Sequence, residues 1–308
     1  MGERMNRRNV LASAMGMMVA GCAAGRTANR PSPARWGLQL FTVGALMEQD
    51  FEGVLRQVAA FGYKEVETVG SFGRDPVWLR AQLDRFGLAS PSQHIASDEV
   101  YASFGAWTRK EITTEQNREN YERAFLPEKA LALVEDGIAK AKILGQSYVT
   151  WPILMPRMLA DRAILDRYLD IFNQAGRMCR DAGLTFAFHN HHREFQRLGP
   201  DMIYDLILKG TDPELVKMEM DFYWVTKAGQ GPIPYFENNP GRYFGCHVKD
   251  VDAAGEFAIV GTGRLDLPRL IGAAREAGAQ HFFVEYDRSD DPIGAIRDSM
   301  VYLERLPG

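Results

Sequence analysis

Leu184–His192 reads LTFAFHNHH, and its two halves decide the fold. The first half alternates β-favouring apolar residues. The second breaks into His189, Asn190, His191 and His192. An amphipathic run with helical spacing, YLDIFNQAGRMCRDAG (168–183), precedes it and ends in glycine, the residue that closes a helix in a left-handed turn. The unit is therefore helix, strand, then polar strand end, and the same unit recurs along the chain.

Working outward, the strands are read at 36–43 (WGLQLFTV), 63–69 (YKEVETV), 88–95 (LASPSQHI), 146–153 (QSYVTWPI), 184–192, 216–225 (VKMEMDFYWV), 243–250 (YFGCHVKD) and 281–287 (HFFVEYD). Helical periods lie between them. FEGVLRQVAAFG (51–62) puts Phe51, Val54, Leu55 and Val58 on one face. ALALVEDGIAKAKILG (130–145) gathers Leu131, Val134, Ile138 and Ile143, and LPRLIGAAREAG (267–278) behaves alike. Gly62, Gly87, Gly145, Gly183, Gly210 and Gly278 stand where helix caps are expected. Eight strand–helix units predict a single α/β domain, a (β/α)8 TIM barrel over 36–308. A doubly wound sheet lacks its glycine-rich phosphate loop here, since Gly261-Thr262-Gly263 follows the seventh strand. Residues 97–126 break the rhythm. They follow a strand, so they belong to the C-terminal face, where they are read as a lid-like insertion.

The 308 residues carry 36 basic and 40 acidic side chains, a net charge of −4. That balance argues against a nucleic-acid partner. Three cysteines cannot staple a chain this long; Cys179 and Cys246 are read as small core residues. Residues 1–21 read as an export signal of twin-arginine and lipoprotein type. Arg4, Arg7 and Arg8 precede an apolar run too short to span a bilayer, and Val19-Ala20-Gly21-Cys22 resembles a lipobox. Residues 22–35 then form a tether. The expectation is an exported lipoprotein anchored through Cys22, with no transmembrane span in the mature protein and homo-oligomerisation left open.

In such a barrel, residues ending strands aim into the mouth where chemistry occurs. His189, Asp221, His247 and Glu285 are separated by 32, 26 and 38 residues, about one unit each. Four adjacent strand ends, spaced about 4.8 Å apart, thus converge on one point. Two imidazoles and two carboxylates there suit one divalent ion such as manganese, zinc, cobalt, iron or magnesium. His189 and His191 share a face, so one is expected to bind the ion and the other substrate. Glu219 shares the face of Asp221 one layer deeper and is read as a buried partner of a lysine. Asp250 and Asp287 are read as rim or cap residues, and His192 as structural. Glu285, His191, His94 and Lys249 are the catalytic candidates. Glu67, Trp107, Trp224 and Gly263 are the candidates for binding substrate, and Trp151, Phe222 and Tyr223 offer further stacking faces.

The strings GLQLFTV, FGYKEVE, FHNHHREF, MEMDFYWV, CHVKD, VGTGRLDLPRL and FFVEYD, in that order, resemble the sugar phosphate isomerase/epimerase family of xylose isomerase-like TIM barrels. The resemblance covers about 36–305. It implies a divalent ion, often manganese, on His189, Asp221, His247 and Glu285. It also implies a small sugar or glycoside substrate. His189 stands where the isomerases and 3-epimerases have glutamate, so a symmetric two-carboxylate epimerisation lacks one acid. Trp224 stands where the DNA-repair endonucleases of the superfamily have another histidine. The reading places isomerisation or epimerisation through an enediolate first. Elimination from a keto-sugar or 3-keto-glycoside comes second, and a non-catalytic sugar-binding or accessory protein third.

Overall fold

A computed structural model describes residues 35–306. The export signal, Cys22 and nearly all of the tether lie outside the described residues. Eight strands close into a parallel barrel: β1 (Trp36–Gln39), β2 (Glu65–Val69), β3 (Ala89–His94), β4 (Tyr148–Trp151), β5 (Thr185–His189), β6 (Val216–Asp221), β7 (Tyr243–Val248) and β8 (His281–Val284). Each pairs with its neighbours in sequence, and β8 closes on β1 through Trp36↔Phe282 and Leu38↔Val284. The expected single barrel is thus the fold, and the described residues form one unit. No helix among them is long and apolar enough to cross a membrane.

Alternation along each strand sorts the side chains. On β5, Phe186 and Phe188 pack outward on Phe172 of the helix Arg162–Asp181, at ring distances of 5.6 and 5.4 Å. On β6, Met218 and Met220 are fully buried, while Glu219 and Asp221 share the other side. Two pairing irregularities re-aim this pattern. β3 carries an extra residue where Glu65↔Ala89 gives way to Glu67↔Ser92, and β7 carries one, Phe244, between the partners of Met218 and Glu219. Pro91 lies in the first, a place where a strand tolerates proline. Phe244 fills the barrel floor with Ala187, Phe283 and Tyr148.

The strands end earlier than the sequence suggests. Leu40–Val43 is a 3-10 turn rather than the end of β1. Phe222–Lys227 is a helix because the Asp221 carboxylate caps it, accepting the Trp224 N–H at 2.8 Å. The helix Pro127–Leu144 buries Ala130, Val134, Gly137, Ala141 and Leu144, a stripe that leaves Ile143 on the exposed side, 44% accessible, and Leu131 only half-buried. The other caps follow expectation, except that Gly210 lies inside its helix with ordinary φ, where a Cβ would strike Leu169. Cys179 and Cys246 are buried free thiols.

The insertion is two helices, Asp98–Thr108 and Thr114–Ala124. Ser97 caps the first and a Thr113/Gln116 capping box starts the second. Ser103 joins them through Asn117 and Asn120, both at 2.8 Å. Phe104 packs on Phe41 beyond β1 at 4.6 Å. The insertion therefore lies over the C-terminal mouth, as its position after a strand requires.

Candidate metal and substrate site

The ends of β5 to β8 bring the expected ligands together. Register sets Asp221 beside His247 and His247 beside Phe283, two residues before Glu285. One nitrogen of His247 and one oxygen each of Asp221 and Glu285 lie within 4.8 Å of one another. His247 Nδ1 is 2.6 Å from Glu285 Oε2 and 4.0 Å from Asp221 Oδ2, and His189 Nε2 is 3.8 Å from Asp221 Oδ2. Donors about 2.1 Å from a shared ion stand roughly 3.0–3.5 Å apart, so Asp221, His247 and Glu285 need only small adjustments to hold one, while His189 converges with His94, Glu219 and His247 in a second, overlapping cluster and reaches the first through its 3.8 Å approach to Asp221. Asp221 Oδ2 is buried, and the cation beside it is the Lys249 ammonium at 3.1 Å.

Two deeper carboxylates decide which nitrogen each histidine presents. Glu67 Oε2 lies 2.8 Å from His247 Nε2, and Glu219 Oε2 lies 3.0 Å from His189 Nδ1. Each occupies the rear nitrogen, leaving His247 Nδ1 and His189 Nε2 to face Asp221 and Glu285. A carboxylate behind a ligating imidazole fixes its tautomer and orientation. Glu67 is therefore not a substrate-binding residue: it is fully buried, and its Oε2 also accepts the Gln39 amide at 2.7 Å. Glu219 pairs with imidazoles rather than with a lysine, taking His94 Nε2 as well, at 2.9 Å. Both acids sit beside the pairing irregularities, which the sequence does not reveal.

Lys249 stands among the outer carboxylates. Its ammonium is 2.6 Å from Asp287, 2.8 Å from Glu285 and 3.1 Å from Asp221, and it is 2% exposed. It is an internal counter-cation at the place a metal would neutralise. Asp287 is thereby a site residue rather than the expected rim or cap residue. Asp250, by contrast, does anchor the fold: it accepts the N–H groups of Val251, Gly261, Gly263 and Leu265. A Cβ on Gly263 would strike that carboxylate. Gly263 thus serves the Asp250 loop, and not substrate.

Burial alone lowers the His247 pKa, but the Glu219 and Glu285 carboxylates outweigh it and hold the ring protonated well above the usual imidazole range. Burial also lowers His94, and Glu67 and Glu219 reverse the shift. His189 goes the other way, pushed down to about 3 by burial and the His247 charge. Burial, His189 and Lys249 hold His191 well below its ordinary value. Burial raises Glu285, yet Lys249 and His247 overcome this and keep it well below the carboxylate range. Burial raises Asp287 to about 6 despite Lys249.

A cavity of about 390 Å³ opens above these groups, with His94, His189, His191, Lys249, Glu285 and Asp287 in its floor. Both His189 and His191 line this cavity, and His189 is the one that also approaches Asp221, at 3.8 Å. Trp107 lines the cavity. Trp224 does not. Its ring lies between His191 and His192, 5.3 and 5.1 Å away, with Lys249 5.6 Å from it, so it backs the site. Trp151, Phe222 and Tyr223 are core residues at 1% exposure or less.

The fold and site define a (β/α)8 barrel whose C-terminal mouth gathers imidazoles and carboxylates. Residues 55–306 match the family described as xylose isomerase-like TIM barrel, and the chain belongs to that family. Curated relatives include inosose dehydratases. That of Lacticaseibacillus casei is 22% identical over 275 residues, covering 80% of this chain and 85% of its own. That of Geobacillus thermodenitrificans is 22% identical over 269 residues, with coverages of 80% and 85%. A solved sugar phosphate isomerase/epimerase from Parabacteroides distasonis superposes with a TM-score of 0.71 at 23% identity, over 91% of this chain and 99% of that one.

Proposed function

We propose that this barrel is a metal-dependent lyase acting on a keto-sugar or 3-keto-glycoside, with elimination ahead of the isomerisation that the sequence places first. The observation that carries it is the asymmetry of the cavity floor. Glu285, the remaining acid of a two-carboxylate pair, is held ionised by Lys249 and His247 and is a weak base. The two flanking imidazoles are shifted in opposite directions: burial, His189 and Lys249 push His191 below its ordinary pKa, while Glu67 and Glu219 outweigh burial and raise His94 above its own. Groups whose environments push their pKa values apart suit an acid–base pair. The inosose dehydratase relatives, named for an elimination, support the same ordering.

In this reading His191 accepts the proton from the carbon beside the carbonyl. The C–H electrons form an enediolate and then a carbon–carbon double bond. The bond to the β-oxygen breaks, that oxygen keeps the bonding pair, and His94 gives it a proton. The products are an unsaturated ketone and water or an alcohol, with no oxidant required. A divalent ion on His189, Asp221, His247 and Glu285 supplies a Lewis acid for the carbonyl oxygen. Glu67 and Glu219 keep the two ligand imidazoles aimed. Export by the arginine pair and acylation at Cys22 belong to this proposal, which places the lyase outside the cytoplasm.

The test is to incubate manganese-loaded protein in D2O with inososes and 3-keto-glycosides, reading enone absorbance and deuterium uptake. Elimination is expected, slowed at least a hundredfold in His191→Asn and Glu285→Gln. Deuterium entry without enone would return the assignment to an isomerase or epimerase. Binding with neither would make the protein a sugar binder.

A further inference from the structure

The cavity has two chemically different halves. The floor is ionisable. The rest of the lining is largely apolar, with Phe41, Phe104, Trp107, Tyr121, Ile153 and Met155, and its polar members are Thr114, Asn117, Arg118 and Arg288. Phe104 is held between Phe41 at 4.6 Å and Trp107 at 6.0 Å, so these rings form one wall. The Trp107 N–H is already donated to Thr114 across the two insertion helices, at 3.1 Å. What Trp107 offers the cavity is therefore ring surface and no donor. A compact polyol filling this space would leave most of its hydroxyls against carbon, since the apolar residues outnumber Thr114, Asn117, Arg118 and Arg288. About 390 Å³ lies within the range of pockets that enclose drug-sized ligands, more than a single sugar ring fills.

We propose that the space under the insertion is an aglycone subsite. It seats an apolar, ring-sized leaving group, so the substrate class is a keto-glycoside with an aromatic or comparably flat apolar aglycone. This rests on the elimination reading above and adds which bond breaks: the one between the sugar and an oxygen carried by that ring. The aglycone departs as a phenol or alcohol after taking the proton. The two-helix insertion after β3 then sets specificity, while the β5–β8 ends carry out the chemistry. Flat faces favour offset or edge-to-face stacking on Trp107 and Tyr121.

The test compares methyl and phenyl glycosides of one sugar on manganese-loaded protein. Calorimetry reads binding of the unoxidised, unreactive glycosides, and enone formation reads their 3-keto forms. The phenyl glycoside is expected to bind at least tenfold more tightly. That ratio falls to about twofold in Trp107→Ala and in Tyr121→Ala, and survives in Trp107→Phe. Equal affinities in the parent, or a ratio unchanged by both alanine variants, would overturn the subsite. If the phenyl glycoside binds better but neither keto-glycoside is eliminated, the elimination reading fails and the subsite stands. If both are eliminated and bind alike, the subsite fails and the lyase stands.

Discussion

Replacing Lys249 with methionine tests whether its ammonium stands in for a metal. The substitution keeps the stem and removes the charge between Asp221, Glu285 and Asp287, which lie 2.6–3.1 Å from Nζ. Removing one partner of a buried ion pair costs about 3–5 kcal/mol. Three carboxylates argue for the upper end. Asp287, already raised to about 6, can take a proton and return part of that cost. The expectation is a loss of about 3–4 kcal/mol in chelator. For a domain of this size that lowers Tm by roughly 6–16 °C. Manganese should then stabilise the variant more than the parent, because in the parent Lys249 must leave before the ion is neutralised. At a hundredfold excess over Kd an ion contributes about 2.7 kcal/mol, enough to recover most of the loss. Thermal unfolding followed by circular dichroism, in EDTA and in manganese, reads both effects. A variant that melts within about 2 °C of the parent in EDTA would refute the reasoning, as would an equal manganese gain in both proteins.

Glu67→Gln removes the acid behind His247 and should weaken metal binding about 10–100-fold, as lost support of a ligand imidazole does; calorimetry showing unchanged affinity would count against the Glu67–His247 pairing. Because Glu219 and Glu285 keep His247 protonated beyond the ordinary imidazole range, an ion must displace a proton from Nδ1. Affinity should therefore rise by about tenfold per pH unit through neutrality, with one proton released per ion in buffers of different ionisation enthalpy; a pH-independent affinity would contradict the assignment. Changing Arg7 and Arg8 to lysine should reduce the mature, metal-filled protein found outside the cytoplasm, and unchanged export and metal content would defeat the export proposal.

The barrel was legible because each of its units repeats the same physical signals: a 3.6-residue apolar period, a glycine stop and a β-rich run. The ligand set followed from parity. Asp221 closes its strand, His247 stands one residue before the end of its own and Glu285 one residue after, and strands one unit apart are neighbours. Parity also misled. Glu219 and Asp221 point to the same side, but only the structure shows that the deeper one turns to the back of His189. Nothing in YKEVETV announces that Glu67 reaches across to His247, because the extra residue that sets its height lies in β3. Trp224 followed a strand-like run, yet the Asp221 carboxylate that ends β6 also caps the next helix and turns the indole behind His191. Lys249 and Asp287 explain each other only once both are seen together. Each alone is an ordinary charged residue at a strand end.

The account depends on Asp221, His247 and Glu285 sharing one cation with His189. Anomalous scattering from a manganese-soaked crystal addresses this directly. The account predicts a single strong peak about 2.1–2.3 Å from His189 Nε2, Asp221 Oδ2, His247 Nδ1 and a Glu285 oxygen, with the Lys249 ammonium moved out from between the carboxylates. Lys249 still seated among Asp221, Glu285 and Asp287, with no peak between them, would contradict it.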